Sequence, residues 1–232
     1  MPAEVPFDEE LKAALHLECL AAARWEVRAG DQTFIIHGLR DAADLLDAPD
    51  YAREFVTQDR APYWAQLWPA AAMLAQALWE LPPGGGRAAL ELGCGLGLVS
   101  IAAARRGWRV TASDYDARAL RIAEANARAN GVALADTLLL DWHHCSDAPE
   151  FDLILAADVL YEYPLQTAIL QVLQWLLAPG GLALIADPNR GPARAFPKKA
   201  GVAGFNVSIR PTWTDQVTGS RVDGTVLHLR RS

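Results

Sequence analysis

Seven residues near the middle of a 232-residue chain, Glu91-Leu92-Gly93-Cys94-Gly95-Leu96-Gly97, form the first pattern with chemical content. Glycines at 93, 95 and 97 permit a tight turn and let a ligand approach the backbone without a Cβ in the way. Between a strand and a helix, such a turn offers backbone N–H groups to an anionic or polar ligand. A dinucleotide loop would carry glycine or alanine at position 98, where this chain has Leu98, which argues against a pyrophosphate cradle. Asp114 follows 21 positions after Gly93, at the end of the next expected strand, where a carboxylate can accept both hydroxyls of a ribose. The spacing suits an adenosine-type cofactor without choosing among them. The competing expectation is that Asp114 caps the helix starting near Ala117.

The elements that position these groups come from the periodicity of the chain. After the breaker Pro82-Pro83-Gly84-Gly85-Gly86, apolar runs alternate with helical stretches. Strands are expected over 87–92, 108–113, 134–140, 151–157 and 182–186, and helices over 98–106, 117–130 and 165–177. Five β/α units of this length predict a parallel sheet covered by helices on both faces, a doubly wound α/β fold. Two further strands, 205–209 and 225–229, suit an antiparallel pair. Upstream, residues 8–22 read as a weakly amphipathic helix and 24–36 as a hairpin turning at Ala29-Gly30-Asp31, while 41–60 is acidic, polar and unassigned.

Composition sets the limits. At 52% hydrophobic the chain can bury one sizeable core. A net charge of −7 opposes binding to nucleic acid, and the basic groups Arg190-Arg194-Lys198-Lys199 and Arg105-Arg106-Arg109 are short. Neither a membrane-spanning run nor a leader is evident, so a cytoplasmic protein is expected. Cys19, Cys94 and Cys145 form no CxxC pair, and reduced thiols are expected. His143-His144-Cys145 point in divergent directions with no second ligand cluster, so no metal site is expected.

The loop, Asp114, and Leu177-Ala178-Pro179-Gly180-Gly181-Leu182 together resemble the seven-stranded class I methyltransferases that use S-adenosylmethionine. The resemblance implies a Rossmann-like sheet of order 3-2-1-4-5-7-6 with strand 7 antiparallel, a domain over 62–232, and an N-terminal helix-plus-hairpin extension over 1–61. Pro62-Tyr63-Trp64-Ala65-Gln66-Leu67-Trp68-Pro69 and Asp158-Val159-Leu160-Tyr161 are similar to the methyltransferase-16 group of lysine methyltransferases, with its DxxY motif. Within it, these segments and Ala186-Asp187-Pro188-Asn189-Arg190 are most like the electron-transfer flavoprotein β-subunit lysine methyltransferases and bacterial relatives. The resemblance implies that Trp64 lines the cofactor pocket, together with the loop residues Glu91, Gly93, Cys94, Gly95 and Gly97. Asp114 and Tyr115 would flank the ribose, Asp141 and Trp142 the adenine, and Ala157 the end of the fourth strand. Asp158 and Tyr161 would orient the acceptor. A protein substrate, a flavoprotein subunit for instance, is implied; a small-molecule acceptor on the same fold is the alternative.

Overall fold

Alternating side chains and a two-residue turn at Gly30-Asp31 build the expected hairpin, β1 (Ala22–Ala29) and β2 (Gln32–Leu39), as a separate two-stranded sheet. The computed structural model describes residues 21–47, 51, 62–144 and 149–231. The helix expected over 8–22 lies outside the described residues, except that Ala22 already belongs to β1. Cys19, Cys145 and most of 48–61 also fall outside them.

A helical turn at Tyr63–Ala65 leads into helix α1 (Pro69–Ala77), whose proline occupies the first turn, where its missing N–H costs nothing. Strand and helix then alternate: β3 (Ala88–Leu92), α2 (Leu98–Arg105), β4 (Arg109–Asp114), α3 (Ala117–Ala129), β5 (Asp136–Leu139), β6 (Phe151–Ala157), α4 (Tyr163–Leu176) and β7 (Leu177–Asp187), except that no helix is described between β5 and β6. After α5 (Phe196–Val202), strands β8 (Phe205–Thr214) and β9 (Val222–Arg231) close the sheet. The spatial order is β5-β4-β3-β6-β7-β9-β8, with β9 antiparallel to both neighbours; counted from β3 this is the expected 3-2-1-4-5-7-6.

Period-two alternation fills both faces of the sheet. Leu153 and Leu155 of β6 join a core with α1, α2, α3 and the hairpin's Val27, Phe34 and Ile36. Ile154 and Ala156 face the other way, onto Ile169, Val172 and Leu173 of α4 and Phe196 of α5. Pro179-Gly180-Gly181 does not separate helix from strand as expected. The helix ends at Leu176, and the three residues form an irregularity inside β7, where the pairing steps from Phe151–Leu177 to Leu153–Leu182. Among the described residues, no helix is long and apolar enough to cross a membrane.

The hairpin is fastened to α3 by two side-chain amides four residues apart. Asn130 accepts from Ile35 N at 2.9 Å and donates to Ile35 O at 2.7 Å; Asn126 accepts from His37 N at 3.0 Å and donates to His37 O at 2.9 Å. Helical spacing thus matches the two-residue repeat of a strand edge, and each amide stands in for a neighbouring strand. Asn126 also donates to Leu96 O at 2.9 Å, so one buried amide joins the hairpin to the glycine loop. Asn126→Ala should cost about 3 kcal/mol in urea unfolding, because backbone groups of His37 and Leu96 lose their partners in a dry site. A loss below about 0.5 kcal/mol would mean that apolar packing alone docks the hairpin.

Candidate functional site

The glycine loop is pinned where β3, α2 and α3 meet. Gly97 begins α2 with φ +84, and a Cβ there would lie 2.8 Å from the Cβ of Ala123 on α3. Gly95 has φ +49, and its Cβ would stand 3.2 Å from Trp64 O in the helical turn at 63–65. A larger residue is strained by the backbone conformation at both places, clashes with Ala123 at 97 and presses on Trp64 O at 95.

Two carboxylates hold this loop from beneath. Glu91, 2% exposed, accepts from Ser100 N at 2.7 Å and from the Ser100 hydroxyl, tying the end of β3 to the first turn of α2. Burial pushes its carboxyl up to about 8. Asp114 accepts from Gly95 N at 3.0 Å through Oδ2 and from Asp116 N at 3.1 Å through Oδ1, and burial raises it to about 6. The residue that caps α3 is Asp116, which accepts from Arg118 N at 2.9 Å; the expectation that Asp114 does so is corrected. Cys94 is buried under the same two carboxylates, and its thiol is pushed well up, which makes it unreactive.

Above the loop opens a cavity of about 380 Å³, within the range of small-molecule sites. Glu91, Gly93, Cys94, Gly95, Gly97 and Asp114 form one side of its lining, and Trp64, Tyr115, Asp141, Trp142 and Ala157 also reach it. Asp158 and Tyr161 complete the set that the sequence singles out, so every one of those residues meets in a single space. Asp141 follows β5 and accepts from His143 N at 3.0 Å, turning the chain so that Trp142 enters the cavity. The Trp142 ring stands over the glycine loop, where a Cβ on Gly93 would come 3.4 Å from it. Trp64 is 4% exposed, and its buried Nε1 meets no hydrogen-bond partner among the described residues. An orphaned donor, the two buried acidic side chains of Glu91 and Asp114 and an aromatic wall fit a nucleoside bearing hydroxyl and cationic groups, as in S-adenosylmethionine. Among the described residues, no three His, Cys, Asp or Glu side chains gather to hold a metal.

At the mouth of the cavity stands a side-chain pairing that the sequence did not reveal. Asp158 does not cap α4, whose first residue follows Glu162; instead it pairs with Arg190, Nε to Oδ1 at 2.5 Å and Nη2 to Oδ2 at 2.7 Å. The guanidinium lies 5.5 Å from the centre of the Trp68 ring, and Tyr63 meets both Trp68 and Tyr161 edge to face. Gln166, fully buried on α4, donates to Leu160 O at 3.1 Å and to Pro192 O at 2.9 Å, which binds the loops after β6 and β7 together. Trp68, Gln66 and Leu67 line the cavity although only Trp64 of that segment was assigned to it. Their signal was present in the aromatic spacing of 62–69, which reads equally well as core packing.

The profile of a family described as lysine methyltransferase matches residues 57–195. The chain is 35% identical over 136 residues to the electron transfer flavoprotein beta subunit lysine methyltransferase of Danio rerio, across 56% of this chain and 51% of the relative. It is 32% identical over 108 residues to the ubiquinone biosynthesis O-methyltransferase of Aeromonas salmonicida, across 46% of this chain and 45% of the relative. The chain spans about half the length of these curated relatives. Among solved structures, a 16S rRNA methyltransferase of T. thermophilus in complex with AdoMet and guanosine shares the fold, with a TM-score of 0.61 at 19% identity over 91% of this chain and 51% of that one.

Proposed function

The chain belongs to the lysine methyltransferase family, whose members use S-adenosylmethionine, and on that premise we propose that it methylates the ε-amine of a lysine in a protein substrate. The observation that carries this reading is the pairing of the cofactor-type cavity with Asp158 and Tyr161 at its mouth. The likeness to a lysine methyltransferase acting on a flavoprotein subunit supports it.

Glu91, Asp114, Trp64 and Trp142 are the groups that would hold S-adenosylmethionine, Asp114 through the ribose hydroxyls and Trp142 against the adenine. The cofactor supplies a methyl group on a sulfonium, ready for in-line displacement by a lone pair. What remains for the chain is alignment and exclusion of water. Asp158 accepts a hydrogen bond from the acceptor amine and so turns its lone pair inward. The Tyr161 hydroxyl is pushed up to about 12 by burial, so it stays protonated and its ring offers a neutral π face to the amine. Tyr63 and Trp68 wall the entrance with apolar surface.

Incubation of a dialysed cell lysate with the enzyme and methyl-labelled S-adenosylmethionine tests the reading. Label is expected in methyl-lysine after protein hydrolysis, concentrated in one or a few proteins. The likeness to ubiquinone O-methyltransferases favours a second reading, a small-molecule acceptor. Label confined to extractable small molecules from an undialysed lysate would select it.

A further inference from the structure

We infer that Arg190 is a positioning residue for the acceptor: its fixed positive charge neutralises Asp158, so that the carboxylate can orient an amine without holding it protonated. The inference rests on the lysine reading above and addresses a difficulty within it. A carboxylate beside an amine favours the ammonium, and a lysine near 10.4 is already mostly charged at neutral pH. An ammonium has no lone pair to receive a methyl group.

The geometry resolves the conflict. Asp158 lines the cavity with its side chain only 3% exposed, whereas Arg190 sits behind it at the rim with its side chain 37% exposed. The fork of the guanidinium engages both carboxylate oxygens, each of which keeps a second acceptor site for the amine. Arginine stays charged at any working pH, so the compensation does not titrate away. Three features hold the guanidinium in place: the Trp68 ring, the bond from Arg190 N to Asp187 Oδ1 at 2.7 Å, and the backbone around the pair. Only two non-glycine residues in the described chain have positive φ, Asp158 at 58 and Asn189 at 62; the first belongs to the pair and the second immediately precedes Arg190. Such conformations persist where the surroundings over-determine them.

The other groups that bear on the pair are acidic or neutral. Asp187 at the end of β7 and Tyr63 from the turn before α1 act on Arg190 or Asp158 directly, and the neighbouring Tyr161 feels Asp158 together with Glu162 after β6 and Asp114 at the end of β4. None of these offsets the charge of Asp158, which leaves that task to Arg190. Asp187 is raised to about 6 by burial, so its own titration lies well below the range of an amine.

The test is the pH profile of kcat with the acceptor protein found by labelling, held at saturation, since kcat reports groups in the complex. Arg190→Gln should move the rising limb to higher pH by about one unit or more, and Arg190→Lys should leave it near the wild-type position. Asp158→Asn, which removes the negative partner and tolerates a positive φ, should move the limb to lower pH while lowering the maximal rate. Thermal unfolding and calorimetry with S-adenosylhomocysteine establish that each variant is folded; if Arg190→Gln is not, Asp158→Asn against Arg190→Lys decides. Methyl-lysine formation with the limb unmoved in the variants would overturn the role of Arg190 alone. No methyl-lysine from the wild-type enzyme would overturn the lysine reading and this inference with it.

Discussion

Asp114→Ala is expected to weaken S-adenosylhomocysteine binding by about a hundredfold or more in calorimetry, the largest loss of any single change in the cofactor half of the cavity. A ribose presents two hydroxyls, and hydrogen bonds to a charged acceptor are worth about 1.5 to 3 kcal/mol each. The same change leaves Gly95 N and Asp116 N without acceptors, so the loop loses its tie to the end of β4. Asp114→Asn separates the two contributions. It keeps one carbonyl oxygen for a loop amide but loses the charge, and about a tenfold loss is expected. Because burial raises Asp114 to about 6, the wild-type affinity should also fall as the pH drops through 6 and the carboxylate takes a proton. Binding by Asp114→Ala within threefold of wild type would reduce this residue to a strut for the loop.

What could be read along the chain was whatever local patterns dictate. The sheet follows from runs such as Phe151–Ala157, where every second side chain must find a different core. The cofactor side follows from three glycines that a backbone needs and from a carboxylate at the end of the adjacent strand. Pairings between distant residues were not legible. Arg190 reaches Asp158 across 32 positions only because β6 and β7 are neighbours, and the amides of Asn126 and Asn130 reach His37 and Ile35 across 89 and 95. Both asparagines do leave a trace, Asn126 as a polar residue on the buried stripe of an amphipathic helix and Asn130 as the residue that ends it. Their partners, though, are backbone groups, which a sequence does not distinguish. Pro179-Gly180-Gly181 misled for the opposite reason: the triplet carries a strong turn signal, yet pairing on either side of it absorbs the turn as a bulge.

Glu91→Gln should stabilise the unliganded protein at alkaline pH and weaken its hold on the cofactor. With its carboxyl raised to about 8 against an ordinary value near 4.5, native Glu91 keeps a proton that the unfolded chain gives up. Where the native state binds more protons, stability falls as pH rises, and here the fall runs from about 4.5 to about 8 and then stops. Asp114 and Asp187 act in the same sense but finish near 6; His37 and His228, lowered by burial, act in the opposite sense and finish near 6.5. The window from pH 7 to 8.5 therefore belongs to Glu91. Across it, urea unfolding of the wild type should lose about 1 to 1.5 kcal/mol, and Glu91→Gln, whose amide oxygen can still accept from Ser100, should lose almost none. An equal slope in the variant would show that Glu91 is not the titrating group. Once ionised, a buried carboxylate against the cavity attracts a cationic ligand, and S-adenosylmethionine carries a sulfonium and an ammonium. The gain in stability should therefore be matched by a loss in cofactor affinity, largest above pH 8, where the wild-type carboxylate is ionised and the amide of the variant is not.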